Sequence, residues 1–353
     1  MKESIKDIEK YLPEGWEEKS KELKALSRGR QIKTAEELLV LNLLYLTMGG
    51  SFGTTAALIN MTTDKEMSKK AVYTRIQNSG EWLKWMSREM CIKNNMLISK
   101  PEWLSKNIKL VDGSVLSVKG SKQGDYRLHY AFNLFEFTST FQITDMKTGE
   151  SLLNYPLTKD DIAIGDRGYV SINGMEYALS CGADFILRYR SNAFNLYDAD
   201  GRKIDLLEVL RERNLDALEN TSIDCFYISK RKKKPVRIVA VRKTPEAEKQ
   251  AQRKLKREQS KKQRKAPTAE TIEINKYIVL ATSLKSADYS NEQVTELYRA
   301  RWQIEQVFYR LKSLFGFGDI PSKKEKTAKA WFFGKLFLAV LAETILKTEA
   351  FSP

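Results

Sequence analysis

Two short apolar segments each carry an aspartate. Asp112 follows Leu110 and Val111 in NIKLVDGSVLSVKG, and Asp166 follows IAIG in DDIAIGDRGY. A carboxylate set into an apolar strand is costly unless it is paired, hydrogen-bonded or bound to a cation. Two such strands lying side by side would bring two like charges together, and a divalent cation relieves that repulsion. Taken singly, each aspartate reads equally well as a turn cap. Taken together, they constrain the chain to a fold that can hold both.

The hydrophobic pattern changes period near residue 107. Residues 1–100 read as helices. AEELLVLNLLYLTM at 35–48 is a strongly apolar helix that Gly49 and Gly50 end, and Ser51 can cap the helix that follows. Thr63 and Glu66 have capping-box spacing ahead of SKKAVYTRIQNSGEWLKWM, another amphipathic helix. This pair resembles a helix-turn-helix, in which Lys69, Lys70, Tyr73 and Arg75 would face DNA. A plain helical bundle with surface lysines explains the same pattern equally well.

After residue 107, NIKLVDGSVLSVKG, YRLHYAFNLFEF and STFQITDMKTGES alternate as strands with turn signals between them. DDIAIGDRGY predicts a short buried strand, INGMEYALSCG a helix, and ADFILRYR another strand. A polar and basic stretch at about 191–275 interrupts this order, with two strands in FYISKRKKKPVRIVAVRK. KYIVLATSL then returns as a strand, and a long helix covers 290–315. The expected fold is α/β, with a mixed-sheet core carrying a basic insertion behind an all-helical N-terminal unit. The expected boundaries are 1–100, 101–325 and an apolar C-terminal helix at 326–353.

The chain carries a formal charge of +15, which suggests a polyanionic partner. That charge is not spread out. Between Lys230 and Lys265 there are seventeen Lys or Arg against three Glu, and the remainder is close to neutral. Such a stretch reads either as an exposed basic linker or as a surface for phosphates. The single histidine, His129, excludes histidine-rich zinc sites, and three cysteines exclude a disulfide framework. His129 itself reads as a sheet residue rather than a catalytic one. Asp160 and Asp161 read as turn or strand-start residues. The most apolar run, Leu336 to Ala342, is far shorter than the roughly 20 residues a membrane span needs. The start of the chain shows no secretory signal.

The helix at 290–315 adds weight to the two aspartates. At about 100° per residue, Tyr298, Arg301, Glu305 and Lys312 fall within one arc of roughly 60°. An intrahelical ion pair between Arg301 and Glu305 accounts for two of them. It does not account for Tyr298 and Lys312 sharing the arc.

The spacing Tyr-x2-Arg-x3-Glu-x6-Lys in YRARWQIEQVFYRLK resembles the signature of DDE transposases of the insertion-sequence-four type. LVDGSVL around Asp112 and IGDRGY around Asp166 are similar to that family's two aspartate motifs, in the same order, over about 100–320. The resemblance implies an RNase H-like core with a largely β insertion. It implies that Asp112, Asp166 and Glu305 are the catalytic carboxylates and hold two Mg²⁺ ions, with Mn²⁺ as a substitute. It implies that Tyr298, Arg301 and Lys312 hold phosphates of the transposon end, and Arg167 is placed to join them. The implied partners are double-stranded DNA, as terminal inverted repeats and target, and a second protomer in a homodimer. The implied setting is the nucleoid of a bacterial or archaeal cytoplasm. The chain closes on EAFSP, which reads as an abrupt end; a truncation there would weaken pairing of protomers.

The function expected is Mg²⁺-dependent hydrolysis at transposon ends followed by strand transfer. One alternative is a catalytically inactive DNA-binding regulator derived from a transposase. A second is a stand-alone nuclease or resolvase with a similar core.

Overall fold

The structure is a computed structural model that describes residues 2–27, 30–94, 100–118, 124, 126–135, 138–190, 192–261, 267–301, 319–321 and 324–350. Five helices come first: α1 (Lys2–Glu9), α2 (Trp16–Glu22), α3 (Ala35–Thr47), α4 (Phe52–Thr62) and α5 (Lys69–Lys93). Side-chain oxygens cap three of them. Thr34, Ser51 and Ser68 accept from Glu37 N, Thr54 N and Ala71 N respectively. The expected capping box at Thr63 and Glu66 is not what starts α5. Thr63 closes α4 instead, its hydroxyl donating to Ile59 O at 2.6 Å. The start of α5 falls five residues later because Ser68 supplies the same acceptor directly before the helical run.

The sheet begins with an antiparallel meander of β1 (Asn107–Val118), β2 (Tyr126–Asn133) and β3 (Thr138–Asp145). A 3-10 turn at Leu152–Asn154 leads to β4 (Asp161–Gly165), α6 (Ile172–Ser180) and β5 (Asp184–Arg188). Both β4 and β5 run parallel to β1, giving the spatial order 3-2-1-4-5. This mixed sheet with helices is an RNase H-like core. The β1 and β4 strands are covered on both faces, which explains their near-continuous apolar runs.

The insertion leaves from the end of β5 and extends the same sheet. It contains β6 (Leu196–Tyr197), β7 (Lys203–Ile204), α7 (Leu206–Arg213), β8 (Asn220–Ser229), β9 (Lys232–Arg242), α8 (Pro245–Lys261) and α9 (Ala269–Ile274). The chain returns as β10 (Tyr277–Thr282), which lies antiparallel between β5 and β9. Pro235 removes one donor from β9. It is tolerated because β10 pairs only with residues 237–242, so β9 is an edge strand at that point.

Lys230 and Arg231 join β8 to β9 with φ of 46° and 62°. Positive φ at both central residues marks a type I′ turn, which normally selects Asn-Gly or Gly-Gly. A residue with a Cβ pays roughly 1–2 kcal/mol for that conformation.

After β10, α10 is described over 291–301. A short β11 (Asp319–Ile320) pairs in parallel with Ser117 and Val118, and α11 (Glu325–Ala350) follows. α11 shares one hydrophobic core with the N-terminal helices, where Trp331, Phe333 and Phe337 meet Tyr45, Trp82 and Met86. Each such buried side chain contributes about 1.5–3 kcal/mol. Lys335 reaches through this core and donates to the Leu46 carbonyl at 2.8 Å, satisfying an open group at the end of α3. Leu128 and Tyr130 of β2 belong to the same cluster, so the helical layer seats directly on the sheet. Two further cores fill the two sheet faces, one under α6 and one under α10. Among the described residues, no helix is long and apolar enough to cross a membrane.

Candidate active site

Strand register brings the two aspartates together. Leu110 of β1 stands beside Ile164 of β4 in a parallel ladder. Asp112 and Asp166 are each two residues further on, so they leave neighbouring strands at one level, about 4.8 Å apart in backbone spacing. Both are partly exposed, Asp112 in the middle of β1 and Asp166 just past the end of β4. Equal parity with Leu110 and Ile164 turns them toward the face covered by α10.

Each carboxylate is oriented by its own loop and neighbours. Asp112 Oδ1 accepts from Gly113 N at 2.8 Å, and Asp166 Oδ1 accepts from Gly168 N at 2.8 Å. Tyr130, directly opposite on β2, donates its hydroxyl to Asp112 Oδ2. Burial, then the charge of Asp112, pushes the Tyr130 hydroxyl well above the ordinary tyrosine range, so it stays a donor. Tyr155 donates to the Asp112 carbonyl at 2.9 Å and shares a 2.8 Å hydrogen bond with Tyr169. Burial raises both of those hydroxyls too.

A third carboxylate lies here that the sequence pattern does not announce. Glu150 is held by Arg127 at 3.3 Å. Its side chain fills the space beside both post-aspartate glycines. A Cβ at Gly113 would stand 3.3 Å from Glu150 Cγ, and one at Gly168 only 2.0 Å from Glu150 Oε2. Burial first, then the charge of Asp166, holds the Glu150 carboxyl above the usual carboxylate range, with Arg127 opposing. The available signal was the repeated glycine, in Asp-Gly and Asp-x-Gly. Glu150 itself sits in a turn sequence with no local mark of a site.

Beside Asp166 opens a cleft of about 620 Å³ whose charged lining is Arg167, Arg188, Lys243, Lys254 and Arg301. α8 forms one wall, so the basic arm is a helix packed over the catalytic edge. Arg188 Nε is buried without an acceptor among the described residues. Lys243 donates to the Asn275 carbonyl. Burial, then the charges of Arg188 and Arg167, lowers the Lys243 ammonium to about 8, against the pull of Glu248. Arg188 and Lys243 were not among the sequence candidates. Their place depends on pairing across β5, β10 and β9, which no local pattern reveals.

Of the candidate helix face, Tyr298 is buried in the core under α10, with its hydroxyl unpartnered among the described residues. The Arg301 guanidinium lies 5.4 Å from the Tyr298 ring centroid and lines the cleft with Asp166. Glu305 and Lys312 lie outside the described residues. Arg167 is exposed on the loop after Asp166. In the N-terminal layer, Lys69 and Lys70 are exposed at the start of α5. Arg75 donates to Ser27 O at 2.6 Å, and Tyr73 packs edge-on against Phe52. His129 is fully buried, with Nε2 3.0 Å from Thr144 Oγ1, as a sheet histidine should be. Asp161 is the strand-start residue expected: Lys109 Nζ and Thr158 N both meet its Oδ2 at 2.8 Å.

Carboxylate oxygens at one level on adjacent strands are of the kind a hard divalent cation prefers. Among the described residues, no three acidic, histidine or cysteine side chains stand at metal-binding geometry. Asp112 and Asp166 stand at one level on neighbouring strands, with Glu150 beside them.

This is the architecture of an RNase H-like nuclease with a basic substrate cleft. Residues 103–341 match the sequence model of the family described as "Transposase DDE domain", and the chain belongs to that family. It is a transposase, a metal-dependent nuclease and DNA strand transferase. It is similar to the transposase of insertion sequence element IS421 from Escherichia coli, with 31% identity covering 95% of this chain and 91% of that protein. It is also similar to the transposase of IS1151 from Clostridium perfringens, 26% identical over 54% of this chain and 42% of that protein. The transposase of IS231E from Bacillus thuringiensis subsp. finitimus is 25% identical over the same shares.

Proposed function

We propose that this chain cuts insertion-sequence ends and joins them to target DNA, with Asp112, Asp166 and Glu305 as its catalytic carboxylates. The observation that carries the reading is the shared level of Asp112 and Asp166 beside a cleft rich in arginine and lysine. Two Mg²⁺ ions, or Mn²⁺ in their place, would be held by these carboxylates and would supply activation of the attacking oxygen and stabilisation of the leaving oxygen.

The chain's own groups do the rest. The hydroxyl of Tyr130 and the amides of Gly113 and Gly168 fix the two aspartate rotamers. Arg301 offers a planar fork to a backbone phosphate, and Tyr298, whose hydroxyl has no partner among the described residues, packs its ring against the guanidinium. Lys312, Arg167, Arg188 and Lys243 add positive charge along the strand path. α8 raises affinity without reading sequence. Lys69, Lys70 and Arg75 of α5 form a second candidate DNA contact, with Arg75 needing release from Ser27. The expected assembly is a homodimer on double-stranded terminal repeats and target DNA.

The test is binding and cleavage of DNA carrying the element's own ends. Asp112→Ala, Asp166→Ala and Glu305→Ala should each retain end binding and lose cleavage. Near-normal cleavage by any of the three contradicts its assignment.

A further inference from the structure

The basic segment does not form one surface. Ile164 of β4 stands beside Ile186 of β5, Ile186 beside Thr282 of β10, and Thr282 beside Arg237 of β9. β4, β5 and β9 run in one direction along the sheet. Asp166 lies two residues past this rung toward one sheet edge, and Lys232 lies five residues before it toward the other. Seven residues at about 3.3 Å each put roughly 23 Å between them along the strands, before the offset across three strands is added. Lys243 and α8 sit at the catalytic edge, while Lys230 to Lys234 sit at the opposite one.

At that far edge the β8–β9 hairpin carries five consecutive cations, Lys230, Arg231, Lys232, Lys233 and Lys234. Lys233 donates to the Ala199 carbonyl at 2.8 Å, and none of the five forms an ion pair among the described residues. Lys230, Lys232 and Lys234 share the strand face that lines a groove of about 660 Å³ against α6, with Tyr227, Ser180 and the single acid Glu176. The turn adds an independent observation. Its two positive-φ positions suit Asn and Gly, yet they hold Lys and Arg at a conformational cost. Charge is kept at the tip where a neutral turn would fold more readily. The rest of the chain outside 230–265 is nearly neutral, so a general need for solubility does not explain it.

We propose that the β8–β9 hairpin is a second contact for double-stranded DNA, gripping phosphates of a stretch distinct from the strand at Asp166. It rests on the reading of this chain as a DNA-cutting enzyme and extends it to a duplex that bypasses the cleft. Lysines on an extended tip contact backbone phosphates as point charges, so the contact adds affinity and register but no base preference.

The full chain is tested with two duplexes, one carrying only a few base pairs of flank beyond the scissile position and one continuing into long flanking DNA. For Lys230→Gln with Lys232→Gln and Lys234→Gln, the slope of log affinity against log salt should become shallower by about 2.7 on the long duplex, from roughly 0.9 per phosphate contact. Affinity for the short duplex and its Mg²⁺-dependent cleavage should stay unchanged. A second variant, Lys230→Asn with Arg231→Gly, should raise the unfolding midpoint while still weakening long-duplex binding. An unchanged slope, or equal loss on both duplexes, overturns the hairpin contact while leaving the cleft intact. A wild-type chain that binds neither duplex overturns both readings.

Discussion

Replacing Gly168 by Ala tests whether the post-aspartate glycine exists to admit Glu150. The new Cβ would stand 2.0 Å from Glu150 Oε2 and 3.2 Å from Asp166 Oδ1. Backbone conformation is no obstacle, because Gly168 is not at positive φ. The clash involves the end of a flexible side chain that is about a third exposed, so Glu150 should swing away rather than unfold the loop. The cost is then loss of the partly exposed Arg127 pair, about 0.2–1 kcal/mol, plus an off-rotamer term of about 0.5–1.5 kcal/mol. Together they give about 1–2 kcal/mol. In a Glu150→Ala background the same substitution should be nearly neutral, leaving a coupling energy of about 1–2 kcal/mol in a double-mutant cycle read by urea unfolding. Equal destabilisation in both backgrounds refutes the explanation.

Four further outcomes rest on the same geometry. Lys243 titrates near 8 in the free protein, below the usual value of about 10.4, under burial and the charges of Arg188 and Arg167. DNA affinity should therefore fall as pH rises through about 8, and Lys243→Arg should flatten that dependence; a flat wild-type profile contradicts it. For folding the sign is opposite, since a depressed lysine destabilises below its unfolded value, so Lys243→Met should stabilise most at pH 7 and least above pH 10 in urea titrations. Phe337→Ala empties a fully buried site in α11 and should cost about 3–5 kcal/mol by urea unfolding. Changing Lys249, Arg253, Lys254, Lys256 and Arg257 of α8 to Gln should make the salt slope of DNA binding shallower by up to about 4.5, whereas an unchanged slope returns α8 to a structural role.

Much of the fold was legible because its signals are local. The change from helical to strand period near residue 107 coincides with the start of β1 at Asn107, and ADFILRYR and KYIVLATSL fall on β5 and β10. Asp112 and Asp166 were legible because a carboxylate in an apolar strand is costly wherever the strand ends up. The start of α5 was legible at SKKAVYTRIQ, whereas the capping-box spacing at Thr63 and Glu66 was not used, because Ser68 offers the same acceptor directly before the helix. Glu150, Arg188 and Lys243 were invisible for a different reason. Arg188 and Lys243 reach the cleft through pairing between distant strands, Glu150 through the loop after β3, and none carries a pattern in its own neighbourhood. The opposed ends of the basic segment likewise depend on β9 running the full depth of the sheet.

The most direct test of the central claim is cleavage of DNA carrying the element's own ends, by the wild-type chain and by Asp166→Asn, with Mg²⁺ or with EDTA. Cuts at the ends should require Mg²⁺ and vanish in Asp166→Asn, while end binding by the variant stays near wild type. Mg²⁺-dependent cutting that survives in Asp166→Asn would contradict it.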